Sequence, residues 1–198
     1  MIIGLVGLIG SGKGAAGDIL CQNGFERDSF AAPVKDAVSV IFGWSRSLLE
    51  GDTEDSRNWR ELPDMWWSER LGKPFSPRLA LQLMGTEAGR NGIHTDIWLR
   101  SLERRIEGKN VVITDTRFPN EVEFIRNRGG VIVEIKRGND PDWYHLAELE
   151  DESHMRYAYP DVHYSEWAWI GCKIDGVIKN DGTIEDLTNK LKSDILFS

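Results

Sequence analysis

Apolar positions along the chain gather into a few short unbroken runs. Residues 2–6 (IIGLV) form the first, and NVVITD at 110–115 and VIVEIKR at 131–137 follow. Such runs, with no polar alternation, predict strands buried on both faces, as in a parallel sheet. Residues 25–31 read as extended. Helices are predicted over 13–21, ended by Asn23-Gly24, and over 33–42, opened by Pro33. Further helices are expected over 78–84, 95–107 and 120–128, the first two separated by the glycine-rich GTEAGRNG. The stretch 44–77 is polar, rich in Trp and acids, and interrupted by Pro63, Pro74 and Pro77, so it reads as an irregular insertion. Residues 138–170 read as irregular and aromatic. The segment from Cys172 predicts a strand or hairpin, then a helix opened by the T-x-x-D box of Thr183 and Asp186.

The strand at 110–115, the helix after it and the strand at 131–137 make a βαβ unit, whose crossover is right-handed. The expected fold class is therefore α/β, a three-layer fold with a parallel sheet and a helical insertion. Residues 1–43 and 108–198 are expected to form the core and 44–107 the insertion, in one domain.

Charge narrows the partners. The chain of 198 residues carries a net charge of −8, with no evident basic stripe, so a nucleic-acid backbone is not its expected partner. No apolar run approaches the roughly 20 residues that span a bilayer, so no membrane partner is expected. Cys21 and Cys172 form no framework and suggest a reducing, cytoplasmic setting. A homodimer is the expected assembly if there is one.

Chemistry concentrates at GLIGSGKG, Gly7 to Gly14, which joins the first strand to the first helix. Glycines in a G-x-x-x-x-G-K turn let backbone N–H groups converge on phosphate oxygens at a positive helix end. Gly10, Ser11, Gly12, Lys13, Gly14 and Ala15 are the candidate ATP-binding residues, with Lys13 on the phosphates. Gly14 stands where most such loops carry a Ser or Thr hydroxyl that binds Mg²⁺, so the metal must be held by phosphate oxygens, water and other carboxylates.

Asp115 ends a buried strand, where open α/β sheets place ligand chemistry, and suits the outer shell of a Mg²⁺ ion. Arg117, two residues on, suits a phosphate. Lys35, in the first turn after Pro33, suits an acceptor phosphate, and Arg78, Arg90 and Arg100 lie in the insertion. Each can also be read as an ordinary surface or capping residue. His145, His154 and His163 match no compact metal-binding spacing. The eight tryptophans read mainly as packing for the insertion, with one or two available to stack on a base.

The GKG turn resembles that of nucleoside monophosphate kinases such as adenylate kinase. The chain as a whole resembles the bacteriophage deoxynucleoside monophosphate kinases. The resemblance is carried by the GSGK loop, AAPVKDAV at 31–38, RLALQLMGTE at 78–87, DIWLRSL at 96–102, VITDTRFPNEVEFIRNRGG at 112–130 and NDGTIEDL at 180–187. It implies a P-loop kinase fold and transfer of the ATP γ-phosphate to a deoxynucleoside 5′-monophosphate. It implies catalytic roles for Lys13, Arg78, Asp115 and Arg117, and an acceptor site of Val34, Lys35, Arg78, Gly85, Thr86, Trp98, Asp115 and Arg117. A kinase for another small acceptor, such as dephospho-coenzyme A or a nucleoside, and a non-kinase nucleotide switch or ATPase stay open as alternatives.

Overall fold

Ile3 and Leu5 of the first strand point one way and Gly4 the other, and each face meets a helix. In the computed structural model, which describes residues 1–149 and 152–196, β1 (Ile2–Val6) lies at the centre of a five-stranded parallel sheet of order β2-β3-β1-β4-β5. Its partners are β3 (Val111–Ile113), with Ile2 opposite Val111, and β4 (Val131–Lys136), with Ile3 opposite Val131. β2 (Glu26–Asp28) pairs with β3, and β5 (Gly176–Lys179) with β4. The end of the chain thus supplies one parallel strand and no hairpin. Asp175 fixes its start: its N–H donates to Ile132 O at 2.8 Å, and its carboxylate accepts from Ile132 N at 2.9 Å and Arg126 at 2.6 Å.

Two compact units divide the chain, Met1–Ser29 with Ile106–Ser198, and Phe30–Arg105. The first holds the sheet. On one face, Ala16, Ile19 and Leu20 of α1 (Lys13–Gln22) and Leu187 and Leu191 of a C-terminal helix (Ile184–Leu191) bury Ile3, Leu5, Val133 and Ile135. Gly17 permits the close approach of α1 to the sheet, since a Cβ there would lie 2.6 Å from Thr114 Cγ2. The opposite face is covered by Pro119–Arg126, whose Ile125 packs against Gly4. The predicted box forms: Thr183 Oγ1 accepts from Asp186 N at 3.2 Å and Asp186 Oδ2 accepts from Thr183 N at 2.8 Å.

The second unit is helical: α2 (Ala32–Phe42), α3 (Arg46–Glu50), α4 (Glu54–Glu61), α5 (Met65–Leu71) and α6 (Pro77–Gln82), then a π-helical segment, Leu83–Asn91. Residues 44–77, expected to be irregular, therefore form short capped helices. Thr53, Asp64 and Ser76 each accept a backbone N–H at a helix start. The tryptophans pack this unit. Trp44 stacks on Phe42 with centroids 4.8 Å apart and donates to Asp64 Oδ2 at 2.8 Å, and Trp67 donates to Phe42 O at 3.0 Å. Val38, Leu49, Phe75 and Ala80 complete the core. GTEAGRNG, read as a separator, continues as helix, and α7 (Ile97–Ile106) follows.

Returning to the first unit, α8 (Pro119–Arg126) precedes β4, and the stretch expected to be irregular contains α9 (Tyr144–Glu148), α10 (Glu152–Ala158) and a 3₁₀ turn, Tyr164–Glu166. α11 (Ile184–Leu191) runs on into a π-helical segment, Lys192–Leu196, whose Ile195 also packs on the sheet core. Among the described residues no helix is long and apolar enough to cross a membrane.

Candidate active site

The loop from Gly7 to Gly12 takes three left-handed turns, with φ of 139° at Gly7, 79° at Gly10 and 101° at Gly12, and Gly12 is the N-cap of α1. Only glycine adopts such a series without strain. Two of the positions are also crowded. A Cβ at Gly7 would run into Ile135 O, and one at Gly12 into Asn180 Nδ2. Ser11 lies within the loop with 3% exposure, and its hydroxyl has no hydrogen-bond partner. A bent glycine loop at a helix N-terminus with an unpartnered buried hydroxyl suits a polyphosphate, which accepts from such donors.

Lys13 folds back on this loop, donating to Gly7 O at 2.6 Å and Leu8 O at 2.9 Å. Burial lowers its pKa to about 8. Arg117 pushes in the same direction, and Glu166 opposes both. Arg117 lies 3.4 Å from Glu166 Oε1. The backbone around Arg117 is fixed from below by buried Glu121, which accepts from the N–H groups of Arg117 at 2.8 Å and Phe118 at 3.2 Å. Asp115 is half-buried in the turn that follows β3. Gly10, Ser11, Gly12, Lys13, Gly14, Ala15, Asp115 and Arg117 thus all belong to the sheet unit, on the loops that leave the carboxyl ends of β1 and β3 and on the first turn of α1. Lys136, Gly138, Asn139, Asp140, Lys179 and Asp181 line a polar cleft of about 370 Å³ at the carboxyl ends of β4 and β5.

Gly14 is unlike the other loop glycines. Its φ is ordinary for any residue, and a Cβ there would meet only Arg27 Nη2, at 4.0 Å. The missing hydroxyl is therefore not demanded by space. Among the described residues no group of three or more His, Cys, Asp or Glu side chains could hold a metal ion. That donor set fits Mg²⁺ only if phosphate oxygens and water supply most of its ligands, with Asp115 the carboxylate at hand.

The other predicted residues belong to the helical unit. Buried Val34 lies 3.7 Å from the Cβ position of Gly85, and Trp98 Nε1 donates to Gly85 O at 2.8 Å. Gly89 makes that contact possible, because a Cβ on it would run into the Trp98 ring. Thr86 is exposed on the same π-helical segment. Lys35, in the first turn of α2, is paired with Glu50 at 2.5 Å. Arg78 stands apart from these contacts, exposed at the start of α6 and 3.9 Å from Glu61.

A family model described as deoxynucleotide monophosphate kinase matches residues 50–191. The chain belongs to this family. A protein of Acanthamoeba polyphaga mimivirus that bears the same family name is 32% identical, over 98% of this chain and 95% of its own. The deoxynucleoside-5′-monophosphate kinase of Escherichia phage T5 is 30% identical, over 64% of this chain and 72% of its own. Among solved structures, dephospho-CoA kinase from Campylobacter jejuni aligns with 98% of this chain and 95% of its own, at 16% identity and a TM-score of 0.48. The protein is a phosphotransferase acting on deoxynucleotide monophosphates, as the sequence resemblance implied.

Three further residues contact the predicted ones and carry no spacing signal in the sequence. Glu166 is held over Arg117 by the aromatic segment around it. Tyr164 packs edge-on against Trp167 at 4.8 Å and near Phe118 at 5.9 Å, and Trp169 donates to Glu166 O at 3.0 Å. Asn180, at the end of β5, donates to Ser11 O at 2.9 Å and so ties the loop to the edge of the sheet. Glu50 accepts from both Lys35 and Arg46. Burial alone would raise its carboxyl pKa, but these hydrogen bonds outweigh that and hold it below the ordinary value. The NDGTIEDL match pointed at Asn180 by position only.

Proposed function

We propose that the protein transfers the γ-phosphate of ATP to a deoxynucleoside 5′-monophosphate, with the donor bound on the sheet unit and the acceptor on the helical unit. The observation that carries the donor half is the loop itself: left-handed glycines, a helix start with no side-chain cap, and Lys13 folded back on the loop. Gly10 to Ala15 hold the β- and γ-phosphates through backbone N–H groups. The cleft lined by Lys136 and Lys179 takes the nucleoside end.

Phosphoryl transfer asks a protein chiefly for positioning and charge neutralisation. Lys13 and Arg117 neutralise the donor oxygens, and Glu166 offsets the repulsion between the two cations. Lys35 takes the acceptor phosphate, with Arg78 as a second cation. Val34, Gly85, Thr86 and Trp98 form one wall for the acceptor nucleoside, and the contacts among Val34, Gly85 and Trp98 support reading them as a group. Asp115 would hold Mg²⁺ through water, and the ion would supply charge neutralisation to the phosphates. Phosphoryl transfer also requires that water be kept from the transferred group.

The test is an ADP-release assay with ATP and Mg²⁺ against the ribo- and deoxynucleoside monophosphates, modified pyrimidines included. Turnover confined to one or a few deoxy acceptors is expected. Equal turnover of ribo acceptors, or of dephospho-coenzyme A, would overturn the acceptor assignment. Lys13→Ala is expected to lose turnover by about 10²-fold or more while remaining folded.

A further inference from the structure

We propose that Glu50 is a positioning residue for the acceptor phosphate, bridging Lys35 and Arg46 so that the lysine is held in place before the nucleotide arrives. The proposal rests on the assignment of Lys35 to that phosphate.

The cluster is a built one. The Lys35 side chain is 12% exposed, and its Nζ lies 2.5 Å from Glu50 Oε1. Glu50 Oε2 accepts from Arg46 Nη1, and Arg46 Nε donates to Asp36 Oδ1 at 2.6 Å. One carboxylate therefore joins two cations, and a second carboxylate restrains the arginine. Glu50 is itself anchored. It ends α3 immediately after fully buried Leu49, and the next residue, Gly51, turns with φ 73°. Arg60 packs on Gly51 and donates to Leu49 O at 3.3 Å and Glu50 O at 3.5 Å.

An ammonium on a four-carbon stem is a mobile point charge unless something fixes it. Glu50 accepts one of its three N–H donors, which leaves two for a phosphate. The opposite role, in which Glu50 blocks the lysine as a competing anion, predicts the opposite kinetic sign.

The experiment is steady-state kinetics of Glu50→Gln, Lys35→Ala and the double variant, with dAMP, dCMP, dGMP and dTMP as acceptors and thermal melting as the folding control. Glu50→Gln is expected to raise the acceptor KM about tenfold and leave the ATP KM within about twofold. In the Lys35→Ala background it is expected to add less than about twofold, because Glu50 acts through the lysine. An acceptor KM that falls or stays level in Glu50→Gln, or a full additional effect in the double variant, overturns the proposal. If Lys35→Ala alone leaves the acceptor KM unchanged, the acceptor-site assignment fails instead, which is a separate result. Should Glu50→Gln not fold, Glu50→Asp, which keeps the charge but shortens the reach, carries the same comparison.

Discussion

The amide of Asn180 occupies the space that a side chain on Gly12 would need, and from there it donates to Ser11 O at 2.9 Å. Gly12 has φ 101°, so an added Cβ meets backbone strain and a steric clash together. Gly12→Ala is therefore expected to abolish ATP-dependent turnover. Asn180→Ala removes the tether without strain. It is expected to raise the ATP KM several-fold, about one lost hydrogen bond's worth, and to leave the acceptor KM unchanged. Kinetics with each substrate varied in turn checks both.

The depressed pKa of Lys13, about 8, sets a pH limb. Phosphates are met by the protonated amine, so kcat/KM for ATP is expected to fall tenfold per pH unit above about 8 in the free enzyme. Bound ATP favours the charged amine, and the limb in kcat is expected at higher pH. Glu166 raises the Lys13 pKa, so Glu166→Gln is expected to move the kcat/KM limb below its wild-type position. A limb that does not move would mean that Lys13 does not titrate in this range.

Gly14 has room for a side chain and an unstrained backbone. Gly14→Ser is expected to fold with stability within about 0.5 kcal/mol of the parent. It adds a hydroxyl where a metal ion would be met. Half-activation is then expected at lower Mg²⁺ concentration, read from an ADP-release titration. An unchanged Mg²⁺ requirement would show that the metal does not approach residue 14.

Asp64 caps α5 through Trp67 N at 3.0 Å and accepts from Trp44 Nε1 at 2.8 Å. Asp64→Ala is expected to destabilise the protein by about 1–3 kcal/mol, through a lost cap and a poorly paired indole. The hydrogen bond from Trp67 N, with that from Trp44, holds the Asp64 pKa below its ordinary value. A depressed carboxyl contributes stability that is present above its unfolded pKa and is lost as pH falls through the folded one. The gap between parent and variant is thus expected to narrow once pH drops below about 4. Chemical denaturation followed by tryptophan fluorescence at several pH values measures it.

The strands and the phosphate loop were legible because each has a local cause. IIGLV and VVI are apolar on both faces, VIVEIK is apolar but for Glu134 and Lys136, and the glycines of the loop sit where the backbone turns left-handed. The helices of residues 44–77 were not, because α3, α4 and α5 have only 5, 8 and 7 residues. Helices of about two turns or fewer cannot display a helical period, and their core includes tryptophans whose spacing is set in three dimensions. The π-helical Leu83–Asn91 was hidden by glycines that act as packing sites for Trp98. Glu50, Glu166 and Asn180 act across long sequence distances, with Arg117 and Glu166 separated by 49 positions and Asn180 and Ser11 by 169. An isolated acid or amide announces no such partner.

The pairing of Ile2 with Val111 has a consequence for synthesis. β1 is the central strand and precedes the helical unit in the chain, yet both of its neighbours, β3 and β4, come after the whole of Phe30–Arg105. The helical unit is continuous in sequence and makes its contacts locally, so it forms early. Meanwhile an apolar strand with two open edges waits for its partners. That interval is where a nascent chain of this protein is most exposed to mispairing with its neighbours, and where a chaperone that shields IIGLV would raise the folded yield.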